Sequence, residues 1–437
     1  MRTLYRDPAV LADWVRDARQ RTLDLTTDLA DGELLGPRLD IVNPLLWEIG
    51  HVVWFQEHWV LRHAAGEKPY RPDVDSLYDS TDVAHDTRWD LPLLSREETL
   101  DYLKSTRDRV VKRLVEKDPG DDDLYFVLLS TFHEDMHTEA FTYTRQTLAL
   151  SPPVFTQEER PVESQPTSGP LEGDVDVPGG RFLLGASPDE RFVFDNEKWE
   201  HPVEVAPFSI ARAPVTQAEF AEFVEAGGYG RAELWSDEGW KWLGGEKAAG
   251  PLYWKREGDA WSRRHFDEWV ELEPHRPMIH VNWHEAAAYC RWRGRRLPTE
   301  AEWELAAAAE PDADGAWLSD EKRHFPWGEE TPRPELANLD WNAGGCVDVA
   351  AHAAGESAFG CRQMLGNVWE WTTTEFAPYP GVSADAYKDY SLPWFHTHKV
   401  LRGGCWATRS RMIRSVYRNF YKPDRRDVWA GFRTCSG

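Results

Sequence analysis

Cysteine is scarce: the 437 residues hold only Cys290, Cys346, Cys361, Cys405 and Cys435, an odd number with no CxxC spacing. That excludes a disulfide framework and a four-cysteine zinc site, so reduced thiols are expected. Positive charge is in deficit, with 50 Lys and Arg against 75 Asp and Glu and a net charge of -25. Such a chain repels phosphate backbones and anionic lipid, and a nucleic-acid partner is not expected. No run of 18 apolar residues exists, and the opening Met1-Arg2-Thr3-Leu4-Tyr5-Arg6-Asp7 contains no apolar segment of the secretory type, so no membrane span and a cytoplasmic location are expected. A repeat of fixed period is also missing. Aromatic residues are abundant instead: 23 Trp and a 13% aromatic share within 41% hydrophobic residues exclude disorder for most of the chain. At roughly 150 residues per domain, the length allows two or three domains.

Residues 1–150 read as four helices. Leu11, Trp14, Val15 and Ala18 recur at helical spacing, and Asn43-Pro44 supplies a cap and a first-turn proline ahead of Leu45, Leu46, Ile49, Val52 and Val53. Ser95 with Glu98 forms a capping box before Leu100, Leu103, Val110 and Leu114, and a fourth helix is expected over about 123–150. A four-helix bundle follows, with a long connection over 66–94 that contains Tyr78, His85, Arg88 and Trp89. Prolines 152, 153, 161, 166 and 170 mark a linker over 151–172. From 173 to 437 the chain is rich in glycine and tryptophan, with a strand between Gly180 and Gly185 and capping boxes at Thr216/Glu219 and Thr299/Glu302, which reads as an irregular α+β domain.

His133 and His137 lie four apart on the fourth helix, so both imidazoles share one face and could bind a single metal. His51 sits inside the apolar helix Leu45-Leu46-Trp47-Glu48-Ile49-Gly50-His51-Val52-Val53-Trp54-Phe55 and must find a partner there. A metal shared with the His pair is one partner; a backbone hydrogen bond is the other. Three neutral imidazoles with open positions suit Zn, Fe or Cu, and ligand type alone does not choose.

The second domain carries ordered motifs: His280-Val281-Asn282-Trp283-His284-Glu285-Ala286, Gly294-Arg295-Arg296-Leu297-Pro298-Thr299-Glu300-Ala301-Glu302-Trp303-Glu304, Gly366-Asn367-Val368-Trp369-Glu370-Trp371, Leu401-Arg402-Gly403-Gly404-Cys405-Trp406 and Ala430-Gly431-Phe432-Arg433. These resemble the formylglycine-generating-enzyme/sulfatase-modifying domain, a C-type-lectin-like fold. Behind a DinB-like bundle, the combination resembles the ergothioneine-type sulfoxide synthases and selenoneine synthases. That resemblance implies non-haem Fe(II) on His51, His133 and His137, and O2-driven C–S or C–Se bond formation on the imidazole of hercynine. Its substrates would be small molecules: hercynine, O2 and a thiol or seleno-sugar donor.

Further roles come from the same resemblance. Within Tyr417-Arg418-Asn419-Phe420-Tyr421-Lys422-Pro423-Asp424-Arg425, it places Asn419 and Phe420 at hercynine, with Met136 where the family often has Gln, and His85, Arg88, Tyr421 and Arg425 at the donor. Tyr387 and Tyr390 are the implied proton donors, with Tyr379 in competition. Tyr421 stands where the γ-glutamylcysteine-using branch has Asp, and His85 where it has one of two Arg. An acid that binds ammonium and a fork that binds carboxylate are therefore lost, which favours cysteine or a neutral selenosugar. Formylglycine generation would need two closely spaced reactive cysteines, whereas Cys405 and Cys435 lie thirty apart. A zinc-dependent DinB-type thiol transferase and a non-catalytic ligand-binding protein are the remaining alternatives.

Overall fold

A computed structural model describes residues 4–116, 119–156, 168–312, 314 and 318–437. Residues 157–167 of the expected linker lie outside the described residues. The chain divides into two compact units, the first holding the described residues up to 156 together with Glu190–Phe192 and Phe266–Glu268.

The first unit is helical. Helix α1 (Pro8–Asp24) starts at Asp7, whose Oδ1 accepts the Ala9 N–H at 2.9 Å, with Pro8 in the first turn. Helix α2 (Leu45–Gln56) is buried on nearly all sides, so it shows no apolar stripe and forms the centre of the bundle. It begins one residue later than Asn43-Pro44 suggests, with Pro44 itself at the cap, and continues as a π-helical turn, Glu57–His63. Helix α3 (Arg96–Glu116) follows the Ser95/Glu98 box, Ser95 Oγ donating to Glu98 Oε2 at 2.8 Å. Helix α4 (Asp121–Thr147) opens with Asp121, Asp122 and Asp123, acids that favour a helix N-terminus, and so starts and ends slightly earlier than expected. Both α1 and α2 pack on α3 and α4.

A buried polar layer ties three of these helices together. Arg19 of α1 donates to Glu134 of α4 at 2.8 and 3.1 Å and to Gln56 Oε1 of α2 at 3.0 Å, while Thr22 Oγ1 donates to Glu134 at 2.8 Å. A buried fork on a buried carboxylate accepts few alternative registers. Glu134 is thereby spent on α1, although it adjoins His133.

The second unit is an α+β domain. One four-stranded sheet runs Asp174–Val177, Phe208–Ala211, Cys435–Ser436, Arg295–Arg296, and the other Arg418–Tyr421, Lys399–Arg402, Trp369–Glu375, Ala430–Gly431. The strand Gly180–Leu184 pairs with His201–Val205. Helices Gln217–Glu225 and Glu300–Ala308 start at the capping boxes expected of them, and Trp283–Arg293 starts at a third, Asn282/Glu285. Trp303, Trp369, Trp371, Trp406 and Trp429 fill the core. Buried Arg–Glu pairs brace it: Arg433 forks onto Glu370 at 2.6 and 2.7 Å, and Arg418 onto Glu300 at 2.7 and 3.1 Å. The latter anchors the strand Arg418–Tyr421.

Burial between Tyr253 and Trp429, helped by the Arg263 charge, pushes His280 down to about 3. The unfolded chain therefore binds a proton at this histidine that the folded chain refuses. Its contribution is complete above the unfolded value of 6.5 and is lost as pH falls from there toward 3. His280 holds φ +60°, a conformation asparagine tolerates. Denaturant unfolding of the wild type should accordingly weaken below pH 6.5 more steeply than that of His280→Asn, by up to about 1.4 kcal/mol per pH unit. Parallel pH curves would refute this.

Candidate metal centre

His51 of α2 and His133 and His137 of α4 converge, with one ring nitrogen from each within 4.8 Å of the others. His51 and His133 are buried and His137 is partly exposed. Helical spacing sets the two α4 imidazoles side by side, their rings 4.5 Å apart and inclined at 60°, and α2 brings His51 to 5.0 and 5.1 Å from them.

The neighbours fix how the rings present themselves. His51 Nδ1 lies 2.8 Å from the Tyr78 carbonyl and His137 Nδ1 lies 2.6 Å from Glu48 Oε1. Carbonyl and carboxylate only accept, so each Nδ1 carries the proton and Nε2 is left as the ligand atom, the arrangement metal-binding imidazoles use. Trp47 stacks on His51 at 5.0 Å and 7°, and Phe55 stacks on His133 at 3.7 Å and 9°. Burial, followed by the nearby His137, holds His51 and His133 well below the usual histidine range and so in the neutral form a metal needs. This donor set fits a three-histidine metal ion.

Glu48 escapes a reading based on spacing between histidines. Its signal was a lone acid three residues before His51 in an apolar helix, where a carboxylate must have a partner. Gly50 has a similar hidden role: a Cβ there would fall 2.1 Å from Tyr78 Cε1. Gly50→Ala must displace the residue whose carbonyl orients His51. Its metal affinity is expected to fall about 10–100-fold, the usual range for losing an outer partner of a ligand; an unchanged metal titration would refute this.

The other expected site residues are distributed as follows. In the helical unit, Met136 is half-buried on α4 beside His137. His85 lies with Nε2 3.1 Å from the Val42 carbonyl. Arg88 is buried, donating to Asn43 Oδ1 at 2.6 Å and to the Val83 carbonyl at 3.1 Å.

In the α+β unit, Asn419, Phe420 and Tyr421 lie on one strand in register with Leu401, Val400 and Lys399. Tyr390 approaches Phe420 at 5.9 Å and Tyr387 at 6.3 Å, so the implied proton donors and the implied hercynine aromatic share one cluster. Burial and the neighbouring Glu197 carboxylate raise the Tyr390 hydroxyl well above its ordinary value. Arg425 lies 5.4 Å over Tyr421 but forks onto Asp427 at 2.7 Å through two nitrogens. Tyr379, the competing tyrosine, is buried against Arg418 at 4.1 Å and His201 at 4.7 Å.

Residues 15–140 match the DinB superfamily model and residues 158–436 the sulfatase-modifying factor enzyme 1-like domain. Hercynine oxygenase of Mycolicibacterium smegmatis is 37% identical over 431 residues, which cover 97% of this chain and 97% of that protein. The chain belongs to the hercynine oxygenase family. The Mycobacterium tuberculosis hercynine oxygenase is 36% identical over 430 residues, covering 98% of both chains. The formylglycine-generating enzyme of that organism is 38% identical over 232 residues, covering 47% of this chain and 75% of its own. Hercynine oxygenase membership carries the expected architecture, a DinB-like bundle followed by a formylglycine-generating-enzyme-like α+β domain. All five cysteines of this family member are buried, and burial pushes Cys346 and Cys435 up to about 12 and Cys361 up to about 11. Such thiols form no thiolate at neutral pH. Among the described residues no helix is long and apolar enough to cross a membrane.

Proposed function

We propose that this protein is an Fe(II)- and O2-dependent oxidoreductase that forms a C–S or C–Se bond on the imidazole of hercynine. The observation that carries the reading is the buried His51, His133 and His137 cluster, with its acceptor-fixed tautomers, in a chain that matches hercynine oxygenases from end to end. Iron(II), when bound, supplies one-electron chemistry toward O2 and leaves open coordination positions.

The protein's part is orientation and proton control. The Tyr78 carbonyl and Glu48 aim the His51 and His137 imidazoles, while Trp47 covers a face of His51 and Phe55 a face of His133. Asn419, Phe420 and Met136 are the proposed hercynine contacts, the Phe420 ring suiting a trimethylammonium group. Tyr390 and Tyr387, which lie side by side, are the proposed proton donors, and Tyr390 stays protonated at neutral pH.

His85, Arg88, Tyr421 and Arg425 are the proposed donor contacts. Arg425 is already neutralised by Asp427, and Arg88 has committed both outer nitrogens to the chain. These commitments favour a donor bearing uncharged hydroxyls, as a selenosugar does, over the multiply charged γ-glutamylcysteine.

The test is O2 uptake by protein loaded with Fe(II) anaerobically. Uptake that requires hercynine together with a donor is the expected result. Equal uptake without hercynine, or equal turnover with Zn(II) in place of iron, would overturn the reading.

A further inference from the structure

We infer that Arg88 is a positioning residue for the metal ligands, acting through Trp47 and Glu48. The inference rests on the metal reading of the three histidines. A guanidinium placed to bind a substrate carboxylate presents its fork, whereas this one turns the fork toward its own chain. Nη1 donates to Asn43 Oδ1 at 2.6 Å and Nη2 to the Val83 carbonyl at 3.1 Å. The guanidinium then lies over the Trp47 ring, its central carbon 3.7 Å from the ring centroid.

Trp47 passes that constraint directly to a ligand. Its indole is stacked 5.0 Å and 7° from the His51 imidazole, so guanidinium, indole and imidazole bear on one another in sequence. The Trp47 Nε1–H donates to the Leu77 carbonyl at 2.7 Å, one peptide from the Tyr78 carbonyl that accepts from His51. Tilting the indole therefore disturbs both the face of His51 and the strand of chain that orients its Nδ1.

A second route reaches His137. Glu48, the acceptor for His137 Nδ1, is the carboxylate whose charge acts on Arg88. Arg88 makes no ion pair within 4 Å among the described residues, and the Glu48 charge acts on it across the buried layer, offsetting only part of the cost of burial. Two ligands on two helices are thus linked to one guanidinium, one by stacking and one by charge.

The experiment is Co(II) titration of the full-length apoprotein, without substrates, followed by its visible d–d absorption. Arg88→Met is expected to weaken Co(II) binding at least 10-fold and to shift the d–d bands, with Arg88→Lys restoring only part because a point charge neither stacks nor forks. Asn43→Ala removes only the tether and should move affinity and spectrum in the same direction by less; it serves if Arg88→Met does not fold. Arg88→Met or Asn43→Ala with wild-type Co(II) affinity and spectrum would overturn the inference, leaving Arg88 as a donor contact alone whatever the change in donor KM. If the wild type took up no more Co(II) than His133→Ala, the metal reading itself would fall, and the inference with it.

Discussion

Fe(II) titrated anaerobically into His133→Ala is expected to bind more than about 100-fold more weakly than to the wild type, with hercynine-dependent O2 uptake lost. The loss should exceed the 10–100-fold typical of outer partners, because a ligand atom itself is removed. His133 is the sharpest of the three replacements. It stacks on Phe55 and faces both other imidazoles, so no solvent-exposed side chain can take its place at once. His51→Ala and His137→Ala should behave alike. A His133→Ala protein retaining full iron and turnover would remove the metal assignment altogether.

The largest stability effect is expected at the polar layer beside this site. Glu134→Gln leaves Arg19 charged, buried and without its carboxylate, and an uncompensated buried charge costs about 3–5 kcal/mol. The glutamine keeps the shape and one acceptor, so cavity formation does not contribute. At about 2–4 °C per kcal/mol for a unit of this size, calorimetry should show the helical transition lowered by roughly 10 °C. Arg19→Met combined with Glu134→Met should recover much of the loss, because removing both charges removes the penalty. A transition in Glu134→Gln within a degree of the wild type would refute this account of the layer.

What could be read from the sequence depended on how local each signal is. The i, i+4 spacing of His133 and His137 is a property of one helix, and His51 is conspicuous as the one imidazole in an apolar stretch. The capping boxes at Ser95, Thr216 and Thr299 are equally local, and each starts a helix in the structure. The partners that orient these imidazoles are not local. Tyr78 reaches His51 across 27 positions and Glu48 reaches His137 across 89, so only packing reveals them.

Gly50 is a poor helix former by residue type, and only the Tyr78 ring packed where its Cβ would lie accounts for it. Arg88 carried an ambiguity of the same origin. Its residue type suits carboxylate binding, and only the positions of Asn43, Val83 and Trp47 show where its fork is spent. In the second unit, Cys435 pairs with Ile210 on one side and Arg296 on the other, sheet neighbours that no short window contains.

The most direct test of the central claim is product analysis. Fe(II)-loaded protein would be exposed to O2 with hercynine and, in separate reactions, cysteine, γ-glutamylcysteine or a 1-seleno-sugar, and the products read by mass spectrometry. The account predicts a hercynine adduct carrying a new imidazole C–S or C–Se bond, strongest with the donor of fewest charges and missing from His133→Ala. Fully iron-loaded protein that leaves hercynine unmodified with every donor would contradict it.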